Sequence, residues 1–186
     1  MRYTSSLLHS RTFVILDTET TGLYPEGGDE VVELAAEKLV RGEVVETFHA
    51  FLRPTRPVPP DAVAIHGLAD DYLRQHGQDH NEVFPRFATF IAGTVLVGHN
   101  IRRFDMPFIA AHFQALDLRM PDNELCDTLE LAREYLTLPN YKLGTVAAHF
   151  NIPTAGAHRA AADVSITRQV LLRFLELSAR PIDTRV

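Results

Sequence analysis

The sequence contains a single cysteine, Cys126, among its 186 residues. One cysteine excludes an internal disulfide framework and a zinc site built from paired cysteines. No apolar run approaches the roughly 20 residues that a membrane-spanning helix needs, and the first residues, MRYTSSLLHSR, lack the apolar centre of a secretory signal. We therefore expect a cytoplasmic protein without a membrane association.

The chain also lacks an excess of positive charge, since its formal net charge is -6 and its isoelectric point is near 5.8. This negative net charge argues against a protein that binds nucleic acid mainly through an overall positive charge. It leaves open an enzyme that meets phosphate groups through bound metal ions.

The composition, with 46% hydrophobic and 23% charged residues, is typical of a globular protein. At roughly 150 residues per domain, this length predicts one domain. We expect it to span residues 1–186, with a core over about 12–177 and a short, flexible tail at 178–186.

Apolar periodicity predicts alternating strands and helices. Strands are expected at 13–16, 31–40, 44–52, 94–98 and 125–126, and helices at 61–65, 81–91, 104–116, 128–135, 143–150 and 160–177. His76 and His80 are expected in a polar loop. Short links favour an antiparallel arrangement of the first three strands, and helical crossovers favour parallel additions. The fold class is therefore α/β, a mixed sheet with helices packed on it.

Two carboxylates follow the first buried strand. Asp17 and Glu19 are two residues apart, so on a strand they point to one face while Thr18 points away. Two carboxylates this close repel unless a cation or a proton lies between them. The alternative is a solvated strand end that leads into a turn.

Polar residues also follow the fourth predicted strand, where His99 and Asn100 precede Asp105. His99 and Asn100 at a strand exit are typical of a cleft lining. Asp105 falls in the first turn of a helix, where a carboxylate also suits the helix dipole, so a capping function is the alternative.

A third group is formed by His158 and Asp163. Five residues along a helix turn by about 500°, which separates two side chains by about 140°. The two converge only if His158 lies in the loop before the helix, as Gly156 upstream permits. The alternative for His158 is an ordinary surface histidine.

Together, the carboxylates at strand ends and helix starts are expected to meet at one edge of the sheet. Their oxygen atoms suit Mg²⁺ or Mn²⁺, whereas zinc lacks suitably spaced ligands. Asp127 precedes a predicted helix and is expected to cap it.

The three groups form motifs that resemble the DEDDh family of 3′→5′ exonucleases: DTETTGL at 17–23, GHNIRRFD at 98–105 and HRAAAD at 158–163. The resemblance extends over about 13–177. It implies a ribonuclease H-like fold, a five-stranded mixed sheet flanked by helices with the first three strands antiparallel.

Within the family, the chain is similar to the epsilon-type proofreading subunits of bacterial DNA polymerase III. The second motif, however, has three residues between Asn100 and Phe104, as in the stand-alone three-prime repair exonucleases. The chain also has no long extension after the third motif. Both points favour a free-standing nuclease, and a polymerase partner is the alternative.

The resemblance implies a metal-dependent hydrolase that removes 5′-mononucleotides from single-stranded or frayed 3′ ends of DNA. Two Mg²⁺ or Mn²⁺ ions would be held by Asp17, Glu19, Asp105 and Asp163, with His158 as the general base. The implied substrate-binding residues are Thr20, Leu23, His66, Asn100 and Phe104.

For Leu23 and Phe104, ordinary packing is the alternative. Arg102, Arg103, Lys142 and Arg159 are candidates for contacts with the nucleic-acid backbone. A related exoribonuclease and a non-catalytic nucleic-acid-binding module remain alternatives, and the sequence leaves the oligomeric state open.

Overall fold

Five strands form a sheet at the centre of the protein in the order β3-β2-β1-β4-β5. The computed structural model describes residues 7–178. The strands are β1 (Thr12–Thr20), β2 (Val31–Val40), β3 (Glu43–Phe51), β4 (Val95–Gly98) and β5 (Glu124–Asp127). β2 pairs antiparallel with both β1 and β3, and β4 runs parallel to both β1 and β5. The predicted mixed sheet with three antiparallel strands is therefore confirmed.

β1 is longer than its apolar run. The expected end at residue 16 is wrong, because β2 continues to pair with β1 up to Thr20, which lies opposite Val31. A register shift falls between Glu19 and Thr20. The hydrophobic pattern stops early because the last part of β1 carries polar side chains into a cleft.

Helices cover both faces of the sheet. They are α1 (Leu7–Ser10), α2 (Pro60–His66), α3 (Asp70–His76), α4 (His80–Ile91), α5 (Asp105–Ala115), α6 (Thr128–Tyr135), α7 (Leu143–His149) and α8 (Ala160–Ser178), with a 3-10 turn at Pro25–Gly27. Within residues 7–178, none of the helices combines the length and the apolar character needed to cross a membrane. The predicted tail lies outside the described residues, except for Ser178.

The expected loop around His76 and His80 is wrong, because His76 ends α3 and His80 begins α4. The hydrophobic pattern does not predict α3, because Leu73 is its one buried residue. Asp79 marks the start of α4, since its side chain accepts a hydrogen bond from the Asn81 backbone N–H.

Two apolar cores pack on opposite faces of the sheet. Alternation along β1 directs Phe13 and Ile15 to the core under α6, α7 and α8, and Val14 and Leu16 to the core under α4 and α5. All four side chains are at most 1% exposed. Because the apolar part of β1 is buried on both faces, its position in the sheet is fixed, and so is the position of the polar residues at its end.

Two histidines join three elements beneath the second core. Val31 N–H donates to His112 Nε2 over 3.1 Å, the two Nδ1 atoms of His112 and His80 lie 3.1 Å apart, and His80 Nε2 contacts the Arg53 carbonyl oxygen at 3.1 Å. These partners assign the protons: His112 donates from Nδ1 to His80 Nδ1, and His80 donates from Nε2 to Arg53. The hydrogen-bond chain therefore requires both rings to be neutral.

Burial lowers the pKa of both rings, and the neighbouring His80 contributes to lowering the pKa of His112 to about 3. The folded-state pKa lies below the ordinary histidine value of about 6.5. The stabilisation by neutral His112 is therefore complete above pH 6.5 and is lost as the pH falls towards 3.

The variant His112→Gln tests this linkage, because its amide oxygen can still accept from Val31 but does not titrate. We expect wild type to be the more stable protein at pH 7.5, and the difference in unfolding free energy to shrink by about 1 to 2 kcal/mol at pH 5. Denaturant unfolding at both pH values measures it. His149→Gln, at an exposed histidine, is the control; a pH-independent difference for His112→Gln would contradict the assignment.

Candidate active site

Three carboxylates converge at the polar end of β1. One oxygen from each of Asp17, Glu19 and Asp163 lies within 4.8 Å of the other two. Asp17 and Glu19 share a face of β1, as predicted, and Asp163 reaches them from the first turn of α8. The sheet face and the helix start together build an acidic cluster, the three-carboxylate site.

Asp105 lies beside this site and contacts β1 from its edge. The pairing of β1 with β4 ends at Ile15 opposite Val97, so the following backbone of β1 is open on that side. Asp105 fills the gap: its Oδ1 accepts hydrogen bonds from the backbone N of Thr18 over 3.1 Å and from its hydroxyl over 2.8 Å. The structure thus brings Asp17, Glu19 and Asp163 together and holds Asp105 next to them, only 2% exposed.

Burial and mutual repulsion dominate the electrostatics. Burial raises the pKa of Asp17 well above its ordinary value, and the charges of Asp105, Glu19 and Asp163 raise it further. Burial and the charges of Asp163 and Glu33 raise the pKa of Glu19 to about 8. Burial likewise raises the pKa of Asp163, and raises that of Asp105 to about 7 against the hydrogen bonds from Thr18.

These groups fit a divalent cation. Carboxylate oxygens are hard ligands of the type that Mg²⁺ and Mn²⁺ prefer, and an ion between them would offset the repulsion that raises their pKa values. Arg159 is the cation whose charge lowers the pKa of Glu19, but its guanidinium is bound elsewhere.

That guanidinium binds Glu33, a residue that the sequence analysis missed. Glu33 lies opposite Glu19 in the β1–β2 register and is fully buried. Its carboxylate accepts from Arg159 Nε over 3.1 Å, contacts His49 Nε2 at 2.8 Å and accepts from the Ala160 backbone N over 3.3 Å. Burial raises the pKa of Glu33, but the hydrogen bonds from His49 and Arg159 outweigh it and lower the pKa overall.

A signal for Glu33 was present in the sequence, because it is the one charged residue within the apolar run 31–36. A charge in the middle of a buried strand requires a partner. Arg159, expected as a contact to nucleic acid, is that partner. It thereby fastens the start of α8, and with it Asp163, to β2.

His158 lies in the loop before α8, as its convergence with Asp163 requires. Its backbone is in the left-handed region, with φ at 67°, and its N–H donates to Asp163 Oδ2 over 2.9 Å. With Asp17 and Asp163, it lines a cavity of about 520 Å³. The residue is exposed.

Four of the five predicted substrate-binding residues surround a second cavity, of about 460 Å³, which we call the apolar cavity. Its lining includes Glu19, Thr20, Leu23, Tyr24, Ile65, His66 and Phe104. Leu23 is 67% exposed, so ordinary packing does not account for it, whereas Phe104 also packs against the second core. The sequence analysis missed Tyr24 and Ile65, which are 68% and 60% exposed.

Asn100 lies outside the apolar cavity and lines a neighbouring one, together with Phe104 and His99. Its backbone N–H donates to Asp127 Oδ1 over 2.9 Å. The same oxygen accepts from the Leu129 backbone N–H, so Asp127 caps α6 as predicted.

His99 also borders the cleft, but both of its ring nitrogens are bound. Nδ1 lies 2.9 Å from the Thr128 hydroxyl and Nε2 lies 2.7 Å from the Tyr141 carbonyl oxygen. Burial lowers its pKa. In the neutral ring, Nε2 donates to Tyr141 and Nδ1 accepts from Thr128, so His99 fastens the segment before α7 to the end of β4.

Comparison with known proteins agrees with this arrangement. Residues 14–171 match the model of the Exonuclease (RNase T) family. The chain belongs to this exonuclease family. The three-carboxylate site and the three cavities described above fall within the matched part, and the resemblance to DEDDh exonucleases is confirmed.

Curated relatives include two PolC-type DNA polymerase III proteins. The chain is 37% identical over 175 residues to the protein of Bacillus subtilis strain 168, and 39% identical over 166 residues to that of Halalkalibacterium halodurans. The matches cover 93% and 88% of this chain, but only 12% and 11% of the relatives. The exonuclease domain therefore spans about an eighth of these relatives or less.

Among solved structures, E. coli Exonuclease I in complex with a dT13 oligonucleotide has a TM-score of 0.77 to this chain at 24% identity. The match covers 89% of this chain and 40% of that one. At this identity, the likeness concerns the fold, and it confirms the ribonuclease H-like architecture.

The repulsion within the three-carboxylate site predicts that Asp17→Asn stabilises the protein when no divalent cation is present. We expect its thermal midpoint in EDTA at pH 8 to exceed that of wild type by about 2 °C or more. Added Mn²⁺ should raise the midpoint of wild type and have little effect on the variant. Differential scanning calorimetry measures both quantities.

Asp122→Asn removes an exposed carboxylate outside the cluster and is the control, expected to follow wild type. An equal Mn²⁺-dependent shift in Asp17→Asn and wild type would show that Asp17 does not take part in cation binding.

Proposed function

We propose that this exonuclease domain is a divalent-metal-dependent 3′→5′ exonuclease that releases 5′-mononucleotides from DNA. The observation that carries the proposal is the three-carboxylate site, bordered by an exposed histidine and opening beside an apolar cavity. The family match supports hydrolysis of nucleic-acid ends, and the geometry supports the assignment of the groups that perform it.

Asp17, Glu19 and Asp163, with Asp105 beside them, would hold two Mg²⁺ or Mn²⁺ ions. Bound ions supply positive charge to the phosphodiester and lower the pKa of a bound water. The carboxylates of the chain would determine where these ions lie. Their own positions are fixed because β1 is buried on both faces and α8 is tied to β2 through Arg159 and Glu33.

His158 acts as the proton acceptor for the attacking water. Hydrolysis forms a bond between the water oxygen and phosphorus and breaks the bond from phosphorus to the 3′ oxygen of the preceding nucleotide. The water proton passes to the imidazole, and the released nucleotide carries a 5′ phosphate. The departing 3′ oxygen takes a proton from solvent and becomes the 3′ hydroxyl of the shortened strand. Imidazole suits this step because it accepts protons near neutral pH.

The apolar cavity holds the terminal nucleotide. At about 460 Å³, it has the size of a small-molecule pocket and admits one nucleotide. Leu23 and Ile65 offer exposed apolar surfaces to the base, and Thr20 lies between them and the carboxylates at the end of β1. A cavity that holds one terminal nucleotide places the bond at the end of the strand beside the carboxylates, which favours exonuclease over endonuclease activity.

DNA is the proposed substrate rather than RNA. Curated relatives such as the Bacillus subtilis protein are DNA polymerase III proteins, and the Exonuclease I structure holds an oligonucleotide of deoxythymidine. The PolC-type relatives also favour a proofreading context; such an activity removes a mismatched 3′ nucleotide faster than a paired one.

The direct test uses a single-stranded DNA oligonucleotide labelled at its 5′ end. With Mg²⁺ or Mn²⁺, we expect a ladder that shortens from the 3′ end, and no cleavage in EDTA. Asp163→Asn should lower turnover by about 10³-fold or more, because the ligand charge is lost while its oxygen still accepts from the His158 backbone. Gel electrophoresis of timed samples gives both results.

Asp122→Asn serves again as the control and should cleave at the rate of wild type. RNA and 3′-mismatched duplex substrates, run in parallel, assign the preference. Binding of DNA without cleavage under all metal conditions would instead support a non-catalytic module, and cleavage of RNA alone would support the exoribonuclease alternative.

A second variant separates chemistry from binding at the histidine. His158→Asn keeps a residue that tolerates the left-handed backbone and retains the N–H that binds Asp163. We expect kcat to fall by 10²- to 10⁴-fold, with KM within about threefold of wild type, because only the proton acceptor is removed. Steady-state kinetics on the same oligonucleotide measure both constants; a raised KM with unchanged kcat would make His158 a substrate contact instead.

A further inference from the structure

Some cationic side chains near the active site form ion pairs, and others do not. Arg159 is bound to Glu33, and Arg102 is bound to Glu130 and to the Leu125 carbonyl oxygen. Lys142 and Arg133 form no ion pair among residues 7–178, and both are exposed. The sequence analysis grouped Lys142 with Arg102, Arg103 and Arg159. Of these four, Arg102 and Arg159 form ion pairs, whereas Lys142 and Arg103 form none among residues 7–178.

Lys142 and Arg133, unlike Arg103, line one cavity of about 650 Å³, which we call the basic cavity. It adjoins both cavities of the active site. Phe104 forms part of the wall between the basic and apolar cavities, and Lys142 and His158 line both the basic cavity and the cavity beside Asp17 and Asp163. A strand whose terminal nucleotide fills the apolar cavity can therefore continue past Phe104 into the basic cavity.

Lys142 is held in place by its neighbours along the chain. His99 Nε2 donates to the Tyr141 carbonyl oxygen over 2.7 Å, and the Lys142 backbone N donates to Asn140 Oδ1 over 3.1 Å. Arg133 lies over the Tyr141 ring, with its guanidinium carbon 6.0 Å from the ring centroid. The backbone of Lys142 is thus fixed, while its ammonium group forms no ion pair within residues 7–178.

The charge distribution of the protein indicates what Lys142 and Arg133 can bind. The protein carries a net charge of -6, and Asp17, Glu19 and Asp163 repel an approaching polyanion. Metal ions compensate this repulsion only at the scissile phosphate. A further phosphate of the strand needs cations of the chain itself, and Lys142 and Arg133 are available for it.

We propose that the basic cavity is a second nucleotide subsite, in which Lys142 and Arg133 bind the phosphate on the 5′ side of the penultimate nucleotide. Phe104 and Leu129 provide apolar surface for that nucleotide's base. This subsite rests on the proposed function and adds to it a requirement for at least one unpaired nucleotide upstream of the scissile bond.

Three small substrates separate the subsites. In thymidine 5′-(p-nitrophenyl phosphate), a nitrophenyl leaving group replaces the penultimate nucleoside, so this ester offers no phosphate to Lys142 and Arg133. The dinucleotide d(TpT) adds the penultimate nucleoside, and d(pTpT) adds its 5′ phosphate. For wild type, we expect kcat/KM to be about tenfold higher for d(pTpT) than for d(TpT), because a charge-assisted contact is gained.

Lys142→Gln and Arg133→Gln should each reduce that advantage of the 5′ phosphate at least threefold, mainly through KM. Hydrolysis of the p-nitrophenyl ester should stay within twofold of wild type. Arg119→Gln is the matched control, because Arg119 is exposed, has no ion pair within the described residues and lies outside these cavities. Thermal midpoints equal to that of wild type establish that the variants fold.

The outcomes are distinguishable. A 5′-phosphate advantage that is absent in wild type, or unchanged in both variants, overturns the second subsite while leaving the proposed function in place. An equal loss on all three substrates assigns Lys142 and Arg133 to the carboxylate site and also overturns it. If wild type hydrolyses none of the three substrates or the longer oligonucleotide, the proposed function fails, and the subsite that rests on it fails too.

Discussion

Like-charged carboxylates held together at the end of β1 are the constraint around which the molecule is organised. Asp17 and Glu19 cannot move apart, since β1 is buried on both faces, and Asp163 is brought to them by the start of α8. Burial and repulsion raise the pKa values of all three. A protein that maintains such a cluster stores unfavourable electrostatic energy that divalent cations can release on binding.

The remaining charges are distributed so that they do not neutralise this cluster. Glu33 lies opposite Glu19 and captures Arg159, the nearby cation that could otherwise offset the acidic side chains. Asp105 is occupied by the backbone and hydroxyl of Thr18. Within residues 7–178, no ion pair therefore involves Asp17, Glu19 or Asp163.

Histidines show how burial divides one residue type into different functions. His99 and His112 are half-buried with both ring nitrogens bound, and desolvation lowers their pKa values, so they act as neutral connectors. His158, in contrast, is exposed and lines the cavity beside Asp17 and Asp163. Only the structure shows that the rings of His99 and His112 are bound, because their partners lie between 29 and 81 residues away along the chain.

The sequence by itself determined the α/β class, the five strands in their places and the face that Asp17 and Glu19 share, because period-two alternation and buried apolar runs are local properties. Its three spaced motifs also determined the family. The tertiary structure alone decided which cation each carboxylate binds, and that Asp105 contacts Thr18 at the open edge of β1. Such pairings join residues far apart in the chain, and their geometry depends on how helices pack across the sheet, which no local pattern encodes.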